Sequence, residues 1–411
     1  MHIRMSHNII IEKFHNQFWI LPSIIVLTVI GILMLSFQIP NSSVGSLFKG
    51  YSPQGARLIL STVGTSLMTV IGVLCSLTII VLQQVSSQYS PRVIENFTKS
   101  FSTQFIIGVY IGTFLYCILL LRLMPPPQIE AELPQAAITI AIVLAMICTG
   151  LLIHYINNIA NSVKSTNVIR SIKEESLYYL ESFESFVKDK ACAYPPQNIS
   201  EDFKYELKNE TAGYFQSFSP EEISEIIGAR NGQVIFSKIP GDFIFRGEVL
   251  AVIHTKEKIN DELIKKFRST IYMGEARSHV QDMRYGIRQL VDIALRALSP
   301  GINDPTTAVE CLNSIGILLQ KYNQISRSTD YLELDDVIIR LPRISFQELM
   351  ELSLFEILKW GKDHRPVGMR INEILRVLEA EAVDQGNLYF CQRMRGLVDS
   401  YEELQPHHGL Q

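Results

Sequence analysis

The sequence lacks the short motifs on which most enzyme and metal sites are built. It has no GxSxG elbow, no Walker loop and no HExxH helix, and its six cysteines include no CxxC pair. None of the nine histidines stands at ligand spacing from a pair of cysteines. These absences remove the common signatures of hydrolases, nucleotide-binding enzymes and zinc sites. We therefore expect no enzyme activity, no cofactor and no structural metal.

The sequence also lacks the excess of positive charge that proteins use to bind phosphate backbones. Its formal net charge is -4 at pH 7, and no segment interleaves basic with aromatic side chains. Nucleic acid is therefore not an expected partner.

Charged residues are scarce in the first 160 residues, whereas most Lys, Arg, Asp and Glu follow them. The two parts of the chain are thus suited to different solvents. The composition predicts a transmembrane bundle over 1–160, a connecting helix and linker over 161–204, a small α/β unit over 205–280 and a helical cytoplasmic domain over 281–411. The expected fold class is mostly α: an N-terminal four-helix transmembrane bundle plus a cytoplasmic α+β domain with a small β unit.

Four apolar stretches, each uncharged across its centre, lie at about residues 18–37, 58–82, 105–123 and 136–159. At 1.5 Å per residue, about 20 residues cover the hydrocarbon layer of about 30 Å. The first stretch is longer than the apolar core of an ordinary signal peptide and ends without a clear cleavage site, so we expect it to be retained. Gly108 and Gly112 in the third stretch have GxxxG spacing, which permits close helix contact but is common by chance.

The basic residues that flank these stretches predict their orientation. One side carries Arg4, Lys13, Arg92, Lys99, Lys164, Arg170 and Lys173; the other carries Lys49, Arg57 and Arg122. Because positive charge is retained in the cytoplasm, both termini are expected there, in a multi-pass membrane protein.

The second stretch carries polar residues on one helical face: Ser61, Thr65, Thr69, Gly72, Ser76 and Gln83 recur at spacings of three, four or seven. Such a face is suited to lining a water-filled path, and we take Ser61, Thr65, Thr69 and Ser76 as candidate conduit-lining residues. Close packing between helices is the alternative, because small residues let backbones approach and hydroxyls bond across helices.

The soluble part contains a turn-rich segment, IPGDFIFRGEVLAVI, that looks like half of a biotinyl or lipoyl barrel. Gly241 and Gly247 are its expected turn formers. Since no lysine occupies the hairpin tip, a carrier function is disfavoured. A capping box at Ser219 to Glu222, with Pro220 in the first turn, predicts a helix before this unit, and a second box begins at Ser345.

A charged segment follows, in which Arg284, Arg288, Asp292 and Arg296 repeat every four residues on one side of a predicted helix. Ser299-Pro300-Gly301 ends that helix, and Asp304 is the expected N-cap of the next. A helix N-terminus beside arginines can bind an anion, so the candidate ligand or interface site comprises Arg288, Asp292, Arg296, Asn303, Asp304, Thr306 and Thr307. The alternative is an exposed ladder of weak salt bridges.

Several segments together resemble one bacterial family of predicted membrane proteins, called domain of unknown function 2254. They are FWILPSIIV, STVGTSLMTVIGVLCSLTIIVLQQVSSQYSPRVIENF, GVYIGTFLYCILLLR, PGDFIFRGEVLA and GIRQLVDIALRALSPGINDPTTA. The resemblance extends over roughly residues 15 to 400. It implies that Arg288 to Asp292 and Arg296 to Thr307 lie in characteristic segments of the family, but no function comes with it.

Two functions from different classes fit these features. The first is an oligomeric channel or transport protein, with the bilayer, further copies of the chain and an anionic ligand of the cytoplasmic domain as expected partners. The second is a membrane-anchored sensor or scaffold without transport activity. The two differ in whether the polar face of the second stretch contacts water or another helix.

Overall fold

The computed structural model describes residues 19–40, 51–89, 100–124, 133–188, 190, 203–228, 232–279, 281–325, 331–335, 337–382 and 385–403. Contacts within the chain separate a unit ending at Lys164 from a second unit beginning at Ser165. Several residues used in the predictions lie outside the described ranges: Phe18 of the first apolar stretch, most of the linker after residue 190, and Arg4, Lys13, Lys49, Arg92 and Lys99 among the flanking basic residues.

The described part of the first unit contains four apolar helices: α1 (Ile20–Ser36), α2 (Pro53–Gln88), α3 (Phe101–Leu123) and α4 (Gln135–Ser162). Helix α3 contacts each of the other three. Its apolar stretch is 61% buried, compared with 11% for that of α2. The bundle is therefore organised around α3, and α2 lies at its edge.

Helices α1 and α3 approach closely because glycines face the contact. A Cβ on Gly108 would come within 2.9 Å of the Pro22 Cα, and one on Gly112 within 3.1 Å of the Val29 Cβ. The GxxxG spacing is thus used within the chain.

Buried tyrosine hydroxyls join α4 to its neighbours. Tyr110 and Tyr116 of α3 donate to the carbonyls of Cys148 (2.6 Å) and Ala137 (3.0 Å) in α4. Tyr155 of α4 donates to the Leu74 carbonyl of α2 at 2.8 Å. These bonds satisfy polar groups that would be costly to leave unpaired in an apolar interior.

Three helices, α2, α3 and α4, are long and apolar enough to cross a membrane. Helix α1 is apolar as well, but its 17 residues extend over only about 26 Å, less than the hydrocarbon layer of about 30 Å. The second, third and fourth expected spans are thus helices of membrane-spanning length, whereas the first, α1, is shorter.

The described residues of the second unit form an α+β fold with two sheets. The larger has the order β1-β5-β3-β8-β7 and consists of β1 (Phe203–Lys208), β5 (Val249–Thr255), β3 (Gln233–Phe236), β8 (Val337–Arg340) and β7 (Tyr331–Leu334). The smaller has the order β4-β2-β6 and consists of β4 (Phe243–Ile244), β2 (Gly213–Phe218) and β6 (Ile271–Gly274). Neighbouring strands are antiparallel except β3 and β8, which are parallel.

Aromatic rings connect the two sheets. Phe215 and Phe218 of β2 contact Phe236 of β3, with ring centroids 5.6 and 4.8 Å apart. All three rings are buried, so the sheets share one apolar core.

Nine helices are described in this unit, and most of their contacts are with one another. They are α5 (Ser165–Lys188), α6 (Pro220–Ile227), α7 (Asp261–Ser269), α8 (Met283–Ala297), α9 (Pro305–Ile325), α10 (Phe346–Met350), α11 (Glu356–Gly361), α12 (Arg365–Ala380) and α13 (Gln385–Glu403). A π-helical turn, Glu351–Phe355, joins α10 to α11.

The caps follow the sequence signals in two cases of three. Ser345 accepts from the Glu348 amide and Asp304 accepts from the Thr307 amide, both at 3.1 Å. Helix α6 begins at Pro220 as predicted, but the Ser219 side chain makes no capping bond.

The β structure differs from the expectation in two ways. Strands β4 and β5, expected in one barrel-like hairpin unit, belong to different sheets. The segment 281–411, expected to be a helical domain, also contributes β7 and β8, and β8 lies beside β3. The pairing of β3 with β8 joins strands far apart in the sequence, which local patterns do not encode.

Candidate functional site

The predicted hydroxyl face of α2 is exposed. Ser61, Thr65, Thr69 and Ser76 all point away from the side on which Leu60, Gly64, Leu67 and Leu74 are buried. A Cβ added to Gly72, on the same face, would have no other atom within 4 Å. No described helix of this unit covers the face.

The hydroxyls are satisfied within the helix. Thr65, Thr69 and Ser76 donate to the carbonyls four residues earlier, those of Ser61 (2.9 Å), Thr65 (3.1 Å) and Gly72 (2.8 Å). Their oxygens keep lone pairs that can accept from water or a solute. Because the face lies outside the bundle of one chain, a conduit lined by it would have to form between chains.

The charged segment forms α8, a turn and α9, but its two central arginines do not meet. Arg288 donates to Asp292 at 2.9 Å and to Glu356 of α11 at 2.6 Å, so it lies between two carboxylates. Arg296 is exposed and has no ion pair or hydrogen bond with its guanidinium in the described part of the chain. The two arginines are eight residues apart on one helix, about 12 Å along its axis.

The turn between α8 and α9 brings together the remaining candidate site residues, Asn303 to Thr307. Asn303 has a left-handed backbone, with φ of +51°, and its amide donates to the Ser299 carbonyl at 2.9 Å. Asp304 accepts from the Thr307 amide at 3.1 Å and from the Thr307 hydroxyl at 2.6 Å. These bonds and the Thr306 amide hold the pKa of Asp304 below its usual range. Asn303 and Thr306 are exposed beside it.

Sequence reasoning missed a partly buried cluster of two aspartates and two arginines, of which Asp282 is fully buried. Asp282 caps α8 and accepts from Arg277 Nε at 2.7 Å and from the Arg284 amide at 3.1 Å. Arg284 reaches across to Asp242 at 2.8 Å and to the Pro240 carbonyl at 3.1 Å. The Asp282 side chain is 1% exposed, so its burial raises the pKa and the two guanidiniums oppose that shift.

This cluster fixes the Pro240-Gly241-Asp242 turn. Asp242 accepts from the Ile239 amide at 3.1 Å, and the Gly241 amide donates to the Phe215 carbonyl of β2 at 2.7 Å. The sequence shows the turn as such, but nothing local pairs Asp242 with an arginine 42 residues later.

A narrow cleft with a volume of only about 30 Å³ lies beside the cluster. Phenyl rings of Phe183, Phe186 and Phe218 line it, with Gln281 and Arg284 at its polar edge. Since the guanidinium of Arg284 is already bonded to Asp242, Asp282 and the Pro240 carbonyl, the cleft is mainly an apolar feature.

The described residues show no arrangement for metal binding, and the two buried cysteines of the second unit have unreactive thiols. Among them, no group of three His, Cys, Asp or Glu side chains is placed to hold a metal ion. Burial raises the pKa of the Cys311 thiol and raises that of Cys391 to about 11. Both thiols are therefore protonated and poor nucleophiles at neutral pH.

Comparisons with known proteins reach nearly the whole chain. The model of a family described as "Predicted membrane protein (DUF2254)" matches residues 15–377. Uncharacterized proteins of Mycobacterium bovis and Mycobacterium tuberculosis are 25% identical in an alignment of 403 residues that covers 95% of this chain and 77% of each relative. No solved structure matches.

Proposed function

We propose that this chain, which belongs to the predicted-membrane-protein family DUF2254, is the subunit of an oligomeric channel or transport protein controlled by its cytoplasmic domain. The observation that carries the proposal is the exposed hydroxyl face of α2, in a helix long and apolar enough to span a membrane. From Ser61 to Ser76 this face extends over about 22 Å, most of the hydrocarbon thickness.

The chemistry of the face limits what it would conduct. Hydroxyl oxygens replace part of the hydration shell of a solute, but they carry no net charge. We therefore expect little discrimination between cations and anions of similar size. In this proposal α1 completes a four-span bundle in the bacterial cytoplasmic membrane, and both termini lie in the cytoplasm.

Control is proposed to act through the turn after α8. Arg288 is occupied by two carboxylates, so an anionic ligand would be held by Arg296, Asn303 and the exposed Thr306. The cap carboxylate of Asp304 is bonded to Thr307, which keeps the start of α9 in place.

The test is solute and ion flux through purified protein in liposomes. Thr69→Leu should abolish flux because it puts an apolar group in the middle of the face, and Thr69→Ser should retain it. Ser66→Leu is the matched control, because Ser66 is also an exposed hydroxyl residue of α2 but lies about 100° from the centre of the hydroxyl face around the helix axis. Equal flux in Thr69→Leu and Ser66→Leu would contradict the conduit.

Topology is tested separately with a membrane-impermeant maleimide on a cysteine-free background. A Gln54→Cys variant should be labelled from outside intact cells and a Lys266→Cys variant should not. The reverse pattern would invert the proposed orientation.

The second candidate is a membrane-anchored sensor or scaffold. The same hydroxyls favour it. Because each donates its hydrogen bond to a backbone carbonyl of its own helix, the face can contact lipid or another helix without needing water as a partner. If liposomes containing the wild-type protein show no flux with any solute or ligand tested, the sensor or scaffold function is favoured over the channel.

A further inference from the structure

An uncovered apolar surface lies along α9 and α12 in the second unit. Ile317 of α9 is 44% exposed, and Met369 and Val377 of α12 are 49% and 47% exposed. Large side chains exposed together in this way are typical of a contact with another molecule.

The surface has two adjoining depressions, with volumes of about 450 and 380 Å³. Val309 and Pro366 line the first, Ile317 and Val377 line the second, and Arg370 and Glu373 border both. The middle of the surface is therefore polar and its two ends are apolar.

The exposed face of α12 follows helical spacing. Pro366, Met369, Glu373 and Val377 are separated by three, four and four residues and so lie within about 80° of one another around the helix. Arg370 adjoins this face and pairs with Glu373 at 2.9 Å. The two side chains remain 41% and 54% exposed, so the pair contributes little in an isolated chain.

We propose that this surface binds the same surface of a second copy of the chain, with the two α12 helices antiparallel about a two-fold axis. A two-fold placed between Ile371 and Asn372 puts Arg370 opposite Glu373 of the partner subunit, and the second pair follows by symmetry. The same operation puts Pro366 opposite the partner's Val377.

The match of charges identifies the occupant. In each chain the positive Arg370 lies on one side of the two-fold axis and the negative Glu373 on the other. The axis therefore places opposite charges face to face, and the surface is complementary to itself. Apolar residues at both ends meet apolar residues under the same operation. The inference rests on the proposed function only in that both require an oligomer.

The test is site-specific cross-linking between two co-expressed full-length chains in membranes, with the native cysteines replaced by serine. One chain carries Pro366→Cys and the other Val377→Cys, and a short bifunctional maleimide should join them. A Lys266→Cys chain on exposed α7 is the control and should not be joined to Val377→Cys.

Charge reversal then shows whether the contact is between copies. With Arg370→Glu in both chains, or Glu373→Arg in both, like charges face each other and cross-linking should fall at least about tenfold. With Arg370→Glu in one chain and Glu373→Arg in the other, opposite charges face again and cross-linking should return. Each chain of this mixture still lacks its own Arg370–Glu373 pair, so recovery cannot come from repair within one chain.

Absence of the first cross-link, or a cross-link that ignores the charges, would overturn the inference. Melting temperatures identify any single variant that fails to fold. Recovered cross-linking in the mixture is an independent check, because it requires both substituted chains to be folded. Flux distinguishes this inference from the proposed function: cross-linking without flux removes only the channel, and flux without cross-linking removes only this contact.

Discussion

Gly241 lies so close to the carboxylate of Asp282 that a side chain on Gly241 would overlap with it. The glycine has a φ of +94°, a conformation that side-chain-bearing residues rarely adopt. The turn that precedes β4 therefore requires a residue without a side chain at position 241, because the arginine–aspartate cluster that fixes the turn occupies that space.

Gly241→Ala should destabilise the second unit by about 2 kcal/mol or more, because backbone strain and overlap with Asp282 add together. The melting temperature of the full-length protein should fall by about 4–8 °C. Gly247→Ala is the matched control: its φ is +84°, but no atom lies within 4 Å of the new Cβ, so only strain of about 1 kcal/mol is expected. Equal effects at the two positions would show that the Asp282 contact is unimportant.

Gly112→Leu should disrupt the contact between α1 and α3, because a Cβ there already lies within 3.1 Å of Val29. We expect a lower melting temperature and a lower yield of folded protein in detergent. Gly150→Leu adds the same side chain to α4 where no atom lies within 4 Å, and should be tolerated. If Gly150→Leu were the more damaging change, the packing described for α3 would be wrong.

Arg288→Gln should cost about 1 kcal/mol, because it leaves Asp292 and Glu356 without their shared partner in partly exposed positions. Arg296→Gln should change stability by less than about 0.5 kcal/mol, since the residue is an exposed surface cation. Thermal unfolding distinguishes the two, and a double-mutant cycle with Glu356→Gln measures the coupling.

The same pair of variants tests the anion site. Inorganic phosphate should raise the melting temperature of wild type and of Arg288→Gln but not of Arg296→Gln. A phosphate response that survives in Arg296→Gln would exclude this arginine as a ligand-binding residue.

Stability should depend on pH through Asp304. The folded-state pKa lies below the ordinary value, so the contribution is fully present above the unfolded pKa of about 4 and is lost as pH falls through the folded value. Asp304→Asn keeps an acceptor for the cap but does not titrate, so the advantage of wild type over this variant should shrink on acidification.

Asp304→Ala removes the cap itself and should cost about 1 kcal/mol at neutral pH. Melting temperatures of wild type, Asp304→Asn and Asp304→Ala measured across the acidic range provide the comparison. A constant difference between wild type and Asp304→Asn would show that the carboxylate charge contributes nothing.

Features that depend on neighbouring residues were predictable from the sequence. Asp304 and Ser345 cap their helices because an oxygen two or three residues before free amides can reach them. The apolar stretches and the hydroxyl face of α2 likewise follow from periodicity alone. Ser219 shows the limit of such local signals, since α6 starts where expected without its capping bond.

Features that depend on distant residues were not predictable. Arg288 was placed in a ladder along α8, but its shortest ion pair is with Glu356, 68 residues away. Arg284 was assigned to the same ladder and instead bonds Asp242 and Asp282. A four-residue charge spacing shows which side of a helix is polar, but the partner is decided by tertiary packing.

Because β3 pairs in parallel with β8, one edge of β3 stays unpaired during translation until β8 has been synthesised. Gln233 pairs with Ile338, so about 100 residues must leave the ribosome after β3 before its second edge can be covered. Until then β3 has one neighbour, β5, and an open edge of unpaired amides and carbonyls that can recruit another nascent chain. A chain truncated before residue 337 would thus be prone to aggregate rather than fold into a smaller domain. Slow translation of α9 would lengthen the time for which this edge is exposed.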